Sequence, residues 1–273
     1  MTEKVNYKFN KDQQKNWFPY TISIKPDDFI LQNGVHGRCP HVICDDSCNQ
    51  HNPLYWKNLQ VEEVVQGPVE IGCFGCSYTY GVFLKESDTW PSLLQQSVSR
   101  QTGNFGLPGG GADACLINLT NAYNHYKIKT AIILFPLMDR RLLKFESKDL
   151  FFQMPIQSYS EWPFDELVSQ NYFDKTFITE KIKDIKKEIT LDINNTYTKE
   201  KILQTKHFCE KNGITLFASS WSRETESFLK TNNFNLLPFY ESPSGSEELA
   251  ADNLHPCRTQ NLKWVSNIET SIL

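Results

Sequence analysis

The sequence lacks both a long hydrophobic run and an excess of charge of one sign. Its most apolar segment, Ala131 to Leu137, has the length of a strand, whereas a membrane-spanning helix needs about 20 apolar residues. The 273 residues carry 28 Lys and Arg against 32 Asp and Glu, a formal net charge of -4. A protein that binds nucleic acid by neutralising phosphates needs a basic face. We therefore expect neither a membrane span nor a nucleic-acid partner.

The sequence also lacks a visible secretion signal, because Met1 to Lys15 is polar and charged and no apolar stretch follows it. Eight cysteines are present. Cys73, Cys115 and Cys209 sit in apolar or helical patterns, where a reduced thiol behaves as a small hydrophobic group. These features predict a cytoplasmic protein with reduced thiols.

What is present is enough apolar material for a folded core, 40% hydrophobic and 13% aromatic residues. Residues 1–66 are rich in aromatics, Asn, Pro and Cys without a regular period, and are predicted to be an N-terminal extension packed on a main domain, 67–273. In the main domain strand and helix patterns alternate around a continuous apolar strand, Thr130 to Leu137, which predicts a doubly wound parallel sheet. Residues 145–196 have no counterpart in a minimal α/β unit and are expected to form a partly helical insertion.

Local patterns predict three further features of the main domain. The Ser87-Asp88-Thr89 cluster before Trp90 and Pro91 predicts the start of a helix. A second helix is predicted over Lys199 to Lys211, and a short strand near Asn235 to Leu237.

Two features far apart in the main domain together predict a serine nucleophile. Ser77 follows a buried-strand pattern and precedes a helical one, which is where a parallel sheet presents a side chain above its carboxyl edge. Asp252 stands three residues before His255, so one short loop can hold the carboxylate against the imidazole ring. An imidazole held in this way can accept a serine proton, and the carboxylate stabilises the imidazolium that forms.

Three segments resemble the sequence blocks of the SGNH (GDSL-type) hydrolases and occur in the same order as in that family. They are Phe74 to Gly81, Asn104 to Gly109 and Asp252 to Pro256. The resemblance begins at about Val69 and leaves out both the N-terminal extension and the 145–196 insertion.

The resemblance implies a flavodoxin-like sheet and a role for each residue of the site. Ser77 is implied to be the nucleophile, His255 the general base and Asp252 the carboxylate that orients the base. The implied oxyanion hole consists of the backbone N–H of Ser77, the backbone N–H of Gly109 and a third donor. No cofactor is expected for catalysis.

The sequence departs from the family pattern at two positions. Cys76 stands where the family usually has Asp, a mainly structural residue. The family has a further block between the second and the last, in which an Asn side chain normally donates to the oxyanion hole. Aligning that block on Asp139 places Met138 at the Asn position, and methionine cannot donate a hydrogen bond. Either Arg140 reaches in as a charged donor or two backbone amides suffice; losing one donor typically costs about 10²–10³ in turnover.

The cysteines leave three further hypotheses open. Cys73 and Cys76 form a C-x-x-C pair that could be redox-active, and Cys76 could itself be the nucleophile. In the N-terminal extension, three cysteines and a histidine could form a structural zinc site. These zinc candidates are Cys39, Cys44, Cys48 and His51.

Taken together, the sequence predicts a serine esterase that removes an acetyl or short acyl group, such as one on a carbohydrate, through an acyl-serine intermediate. One alternative is an O-acyltransferase with the same triad. The other is a weakly active or inactive SGNH-fold protein with a structural or binding role, because Met138 replaces a side-chain donor of the oxyanion hole. The partner is then a small-molecule or carbohydrate ester. Several aromatic residues are candidates for the pocket wall. They are Phe151, Phe152, Trp162, Phe164 and Trp221.

Overall fold

The computed structural model describes residues 69–81, 84, 86–106, 110–145, 150–155, 180, 191–243, 249–250 and 255–272. The predicted N-terminal extension, residues 1–66, lies outside the described residues, as does most of the predicted insertion. The division of the chain into extension and main domain therefore stays a prediction.

Strands and helices alternate along the described part of the chain. The strands are β1 (Ile71–Gly75), β2 (Thr102–Gly106), β3 (Thr130–Phe135), β4 (Arg140–Phe145), β5 (Leu150–Pro155) and β6 (Thr215–Ser220). The helices are α1 (Ser77–Tyr80), α2 (Trp90–Val98), α3 (Ala112–Tyr126), α4 (Leu191–Lys211), α5 (Arg223–Thr231) and α6 (Arg258–Ile272), with a 3-10 turn at Glu86–Asp88.

Four of the strands form one parallel sheet in the order β2-β1-β3-β6. This order confirms the predicted doubly wound, flavodoxin-like α/β fold. The chain moves outward from β1 to β2 on one side and from β3 to β6 on the other. The carboxyl ends of β1 and β3 therefore flank the switch point, where such sheets bind their ligands.

Helices cover both faces of the sheet, which explains the continuous apolar run of β3. Ala131, Ile133 and Phe135 face the layer that contains α3 and α4. Ile132 and Leu134 face the opposite layer, formed by α2 and α6. Because successive side chains of a strand point to opposite faces, a strand covered on both faces must be apolar at every position.

The predicted insertion differs from expectation at both of its ends. Its first part is an antiparallel hairpin of β4 and β5, and this hairpin already begins at Arg140. Its last residues belong to α4, which starts at Leu191, whereas the sequence pattern predicted a helix from Lys199. The periodicity of apolar residues does not predict the first turns of α4, because the buried residues there, Asn194 and Thr198, are polar.

Candidate active site

Ser77 lies at the carboxyl end of β1, as the first residue of α1. The N-cap of this short helix is Cys76, so the Ser77 hydroxyl does not serve as its cap. The hydroxyl donates a long hydrogen bond of 3.9 Å to Cys76 Sγ, and the residue is 8% exposed. The structure thus places Ser77 beside the switch point of the sheet, at the predicted strand-to-helix turn.

The second sequence block holds the first in place. Buried Asn104 on β2 donates from Nδ2 to the carbonyl oxygen of Tyr80 at 3.4 Å, and its Oδ1 accepts from the N–H of Gly106 at 3.1 Å. Gly106 packs directly on α1: a Cβ at this position would lie 2.7 Å from the carbonyl carbon of Thr79. The helix that carries Ser77 can therefore approach β2 only because residue 106 has no side chain.

Replacing Gly106 by alanine is expected to destabilise the domain by about 1–3 kcal/mol, because the new methyl group overlaps backbone atoms of α1 that cannot rotate away. Denaturant unfolding of both proteins measures the difference. The exposed Ser266→Ala on α6 is the control. An unfolding midpoint of Gly106→Ala equal to that of the control would contradict this contact.

His255 lies at the same edge of the sheet as Ser77. Its half-buried imidazole ring meets the ring of Tyr78, the residue after Ser77, edge to face with centroids 5.9 Å apart. The loop before α6 holds the backbone here, since the carbonyl oxygen of His255 accepts from the N–H of Ala250 at 2.7 Å. Asp252, the predicted partner of this imidazole, lies outside the described residues.

Arg140 reaches the site from the start of β4. Its Cζ lies 5.5 Å from the ring centroid of Trp221, and that indole stacks on the ring of Tyr78 with centroids 4.8 Å apart. A Cβ on Gly111 would lie 2.5 Å from the carbonyl oxygen of Arg140, so the glycine run meets β4 here. Gly109 itself lies outside the described residues.

The guanidinium of Arg140 has no ion-pair partner in the part of the chain that the structure describes. Its Nη1 atom is buried and donates to no acceptor among those residues. By contrast, three other arginines pair with carboxylates. They are Arg100 with Glu70, Arg223 with Glu226 and Glu241, and Arg258 with Asp88. Because buried cationic groups are normally paired, this guanidinium is suited to a negative charge that a reaction creates.

Met138 is buried and its backbone is tied to α4. Its carbonyl oxygen accepts from Nδ2 of Asn194 at 2.8 Å and from Oγ1 of Thr198 at 2.9 Å. These two contacts set the course of the β3–β4 connection and hence the place where Arg140 begins β4. No sequence motif indicated Asn194, because it lies far from all three blocks along the chain.

Asp139, between Met138 and Arg140, carries a buried carboxylate whose ionised form is unfavourable. Burial raises the pKa of its carboxyl group, and the charge of Arg140 offsets this rise in part. Its Oδ1 atom has no hydrogen-bond partner among the described residues. Ionised Asp139 therefore costs folding free energy at neutral pH.

Asp139→Asn is accordingly expected to raise the melting temperature at pH 7 by about 2–4 °C, the equivalent of about 1 kcal/mol. The sign follows from linkage: a folded-state pKa above the unfolded value makes ionisation unfavourable for the fold, so the cost appears as pH rises. At a pH below 3 both states are protonated and the two proteins should melt alike. A gain of equal size at both pH values would contradict this origin.

The buried cysteines of the C-x-x-C pair do not fit reactive roles. Cys73 and Cys76 are both free thiols with no exposed surface. Burial raises the pKa of Cys73 well above its usual value, whereas redox and nucleophilic cysteines are accessible and have lowered pKa values. These observations disfavour both the redox pair and Cys76 as the nucleophile.

Of the aromatic candidates for the pocket wall, the structure brings Trp221 to the site. Phe151 and Phe152 lie on β5, and Trp162 and Phe164 lie outside the described residues. The zinc candidates Cys39, Cys44, Cys48 and His51 also lie outside them, so that site stays a prediction. Within the described ranges no group of three or more His, Cys, Asp or Glu could hold a metal ion. In the same ranges no helix combines the length and apolarity needed to cross a membrane.

Tyr78 is the member of the site that sequence reasoning missed. It lies within the first block, but a tyrosine after a candidate nucleophile carries no chemical signal of its own. Its role depends on its contacts with His255 and Trp221, which are far from it along the chain.

No protein-family model and no curated protein matches the sequence. Among solved structures, the chain is similar to a psychrotrophic esterase from Pseudoalteromonas sp. inhibited by monoethylphosphonate, with 11% identity, 74% of this chain and 96% of that chain covered, and a TM-score of 0.46. It is similar to a GDSL-like lipase from Bacteroides thetaiotaomicron at 11% identity, with 74% and 87% covered and a TM-score of 0.41. It is also similar to an acetyl xylan esterase from Butyrivibrio proteoclasticus at 7% identity, with 77% and 65% covered and a TM-score of 0.45. At this level of similarity, the resemblance to SGNH hydrolases continues to rest on the three sequence blocks.

Proposed function

We propose that the protein is an SGNH-type serine esterase that hydrolyses an acetyl or short acyl ester through an acyl-serine intermediate. The observation that carries the proposal is that Tyr78, the residue after Ser77, packs its ring against the imidazole of His255 at the carboxyl edge of the sheet. The two residues are remote along the chain and belong to the first and last sequence blocks. A serine and an imidazole at the switch point of a parallel sheet are what acyl transfer requires.

In the proposed reaction, Ser77 Oγ attacks the ester carbonyl carbon while His255 accepts the hydroxyl proton. Asp252 holds the other ring nitrogen and stabilises the imidazolium. The tetrahedral intermediate re-forms its carbonyl, the bond to the alcohol breaks, and the alcohol oxygen takes the proton from His255. Water then attacks the acyl-serine in the same manner, which releases the acid and restores Ser77.

The proposed oxyanion hole consists of the backbone N–H groups of Ser77 and Gly109, with Arg140 as the third donor. The position of Arg140 is supported by Tyr78, the residue after Ser77, which connects to the guanidinium through the indole of Trp221.

The proposed substrate is a small acyl ester, with a carbohydrate as the alcohol. Tyr78 supplies the kind of aromatic surface that binding sites for organic ligands commonly contain.

Labelling with a serine-reactive phosphonate, followed by peptide mapping, tests the proposal. Modification is expected on Ser77 and is expected to be absent in Ser77→Ala. Labelling of a different residue, or none at all, would contradict an activated Ser77.

A second assay separates the hydrolase from the transferase. Acyl release from a chromogenic acetate ester is followed in water, with and without added alcohols or sugars. Release that does not depend on an acceptor supports the hydrolase, whereas faster release with formation of a new ester supports the transferase. No release from any short acyl ester, together with no labelling of Ser77, would leave a binding or structural protein.

A further inference from the structure

Four side chains follow one another by contact along the carboxyl edge of the sheet: His255, Tyr78, Trp221 and Arg140. We call them the edge stack. The successive separations are 5.9 Å between the His255 and Tyr78 rings, 4.8 Å between the Tyr78 and Trp221 rings, and 5.5 Å from the Trp221 ring to Arg140 Cζ. The proposed base and the proposed third oxyanion donor thus lie at opposite ends of a series of rings, with Ser77 beside its centre.

The centre of the edge stack is anchored to the core. The Tyr78 ring contacts the ring of Tyr240 at 5.7 Å, and Tyr240 is fully buried. Tyr240 in turn packs on Trp264 of α6 at 5.1 Å, and its hydroxyl donates to Oδ1 of Asn261 at 2.6 Å. Since α6 is part of the helical layer, the position of Tyr78 is determined by the packed interior.

The backbone that carries Trp221 is also held firmly. Ser220, the last residue of β6, donates from Oγ to the carbonyl oxygen of Phe135 at 2.8 Å, and the same Oγ accepts from the N–H of Ser222 at 3.0 Å. These bonds tie the turn after β6 to the end of the neighbouring β3. Trp221 therefore projects from a short turn that is fixed on both sides.

Arg140, by contrast, has a long side chain whose rotamer freedom must be lost before it can act. An oxyanion donor is effective only if it is held in place before the reaction, and ordering a long arginine side chain costs conformational entropy. Among the described residues no carboxylate pairs with Arg140. The contact that can order its guanidinium is the face of an aromatic ring, which attracts cations.

We propose that Trp221 is a positioning residue, which holds the guanidinium of Arg140 beside Ser77 because the indole is itself fixed by its stack on Tyr78. This inference rests on the proposed function, since it assigns Arg140 to the oxyanion hole. It changes the role of Trp221 from a wall of the pocket to a support for a charged donor. It also explains how an arginine on the hairpin strand β4 can replace an asparagine side chain missing after β3.

A double-mutant cycle tests this relation. Trp221→Leu is expected to lower kcat on a neutral acetate ester by about 10²-fold, as Arg140→Ala does, with a much smaller change in KM. The double variant Trp221→Leu/Arg140→Ala should be no slower than Arg140→Ala alone, because Trp221 acts through Arg140. Effects that multiply in the double variant would overturn the proposal, since they would mean that the indole acts independently.

Trp221→Phe is the matched variant, because it keeps an aromatic face under the guanidinium but removes the indole N–H. Nε1 is buried and has no hydrogen-bond partner among the described residues, so its removal leaves no protein acceptor unsatisfied. This variant is expected to keep kcat within about threefold of the wild type. A loss as large as that of Trp221→Leu would show that the N–H matters rather than the ring, and would also overturn the proposal.

A measurement on the free protein separates this inference from the proposed function. The side-chain Nε–H signal of Arg140 in an NMR spectrum, assigned by its loss in Arg140→Ala, should move in Trp221→Leu and stay near its place in Trp221→Phe. Tyr123→Leu, which removes an α3 ring that contacts the Lys127 ammonium group, should leave the Arg140 signal unchanged. An Arg140 signal unaffected by Trp221→Leu would refute the positioning role. A shifted signal in a protein that hydrolyses no ester would refute the proposed function and retain the positioning role.

Discussion

Ser77→Ala is expected to reduce ester hydrolysis by about 10⁴-fold or more, because removal of the nucleophile leaves only binding and oxyanion stabilisation to accelerate the reaction. The fold should survive, since the hydrogen bond that the hydroxyl donates is a weak 3.9 Å contact with Cys76 Sγ. Steady-state hydrolysis of a chromogenic acetate ester measures the loss, and thermal unfolding checks the fold.

The control for this variant is Ser266→Ala, which removes an exposed hydroxyl that donates to the carbonyl oxygen of Leu262 on α6. It should retain full activity. Activity of Ser77→Ala equal to that of the control would place the nucleophile elsewhere.

Arg140→Ala is expected to lower kcat by about 10²–10³-fold with little change in KM. The contact is made with charge that develops in the transition state and is absent from the bound ester. The change should therefore appear equally in kcat and in kcat/KM, which steady-state kinetics on a neutral acetate ester can resolve.

The adjacent Arg141 provides a matched control for the loss of a guanidinium from β4. Its Cζ lies 4.0 Å from the ring centroid of Tyr197 on α4, away from the edge stack. Arg141→Ala should therefore change kcat far less than Arg140→Ala. An unchanged kcat in Arg140→Ala would show that Arg140 is not a donor of the oxyanion hole, which would then consist of the two backbone amides of Ser77 and Gly109.

Much of the domain follows from local patterns in the sequence. The apolar run of β3 reports a strand covered on both faces, and the structure confirms it. Thr89 is the N-cap of α2, where its side chain accepts from the N–H of Ser92 at 3.4 Å, as the Ser-Asp-Thr cluster before Trp90 and Pro91 predicts. These features could be read because their causes, side-chain alternation and capping, act over a few residues.

The features that the sequence did not reveal depend on partners far away along the chain. The first turns of α4 are polar because Asn194 and Thr198 bind the carbonyl oxygen of Met138. The strand expected near Asn235 to Leu237 is reduced to a single bridge between Leu236 and Ala218. In each case a contact between segments, rather than a local preference, determined the backbone.

The same division holds for the candidate site. By itself the sequence determined which residues have suitable chemistry: a serine after a buried strand, a D-x-x-H segment, and an arginine where a donor is missing. Only the tertiary structure placed His255, Tyr78, Trp221 and Arg140 in contact. The physical reason is that parallel strands need long connections, so the residues that meet at their carboxyl ends are necessarily remote in sequence.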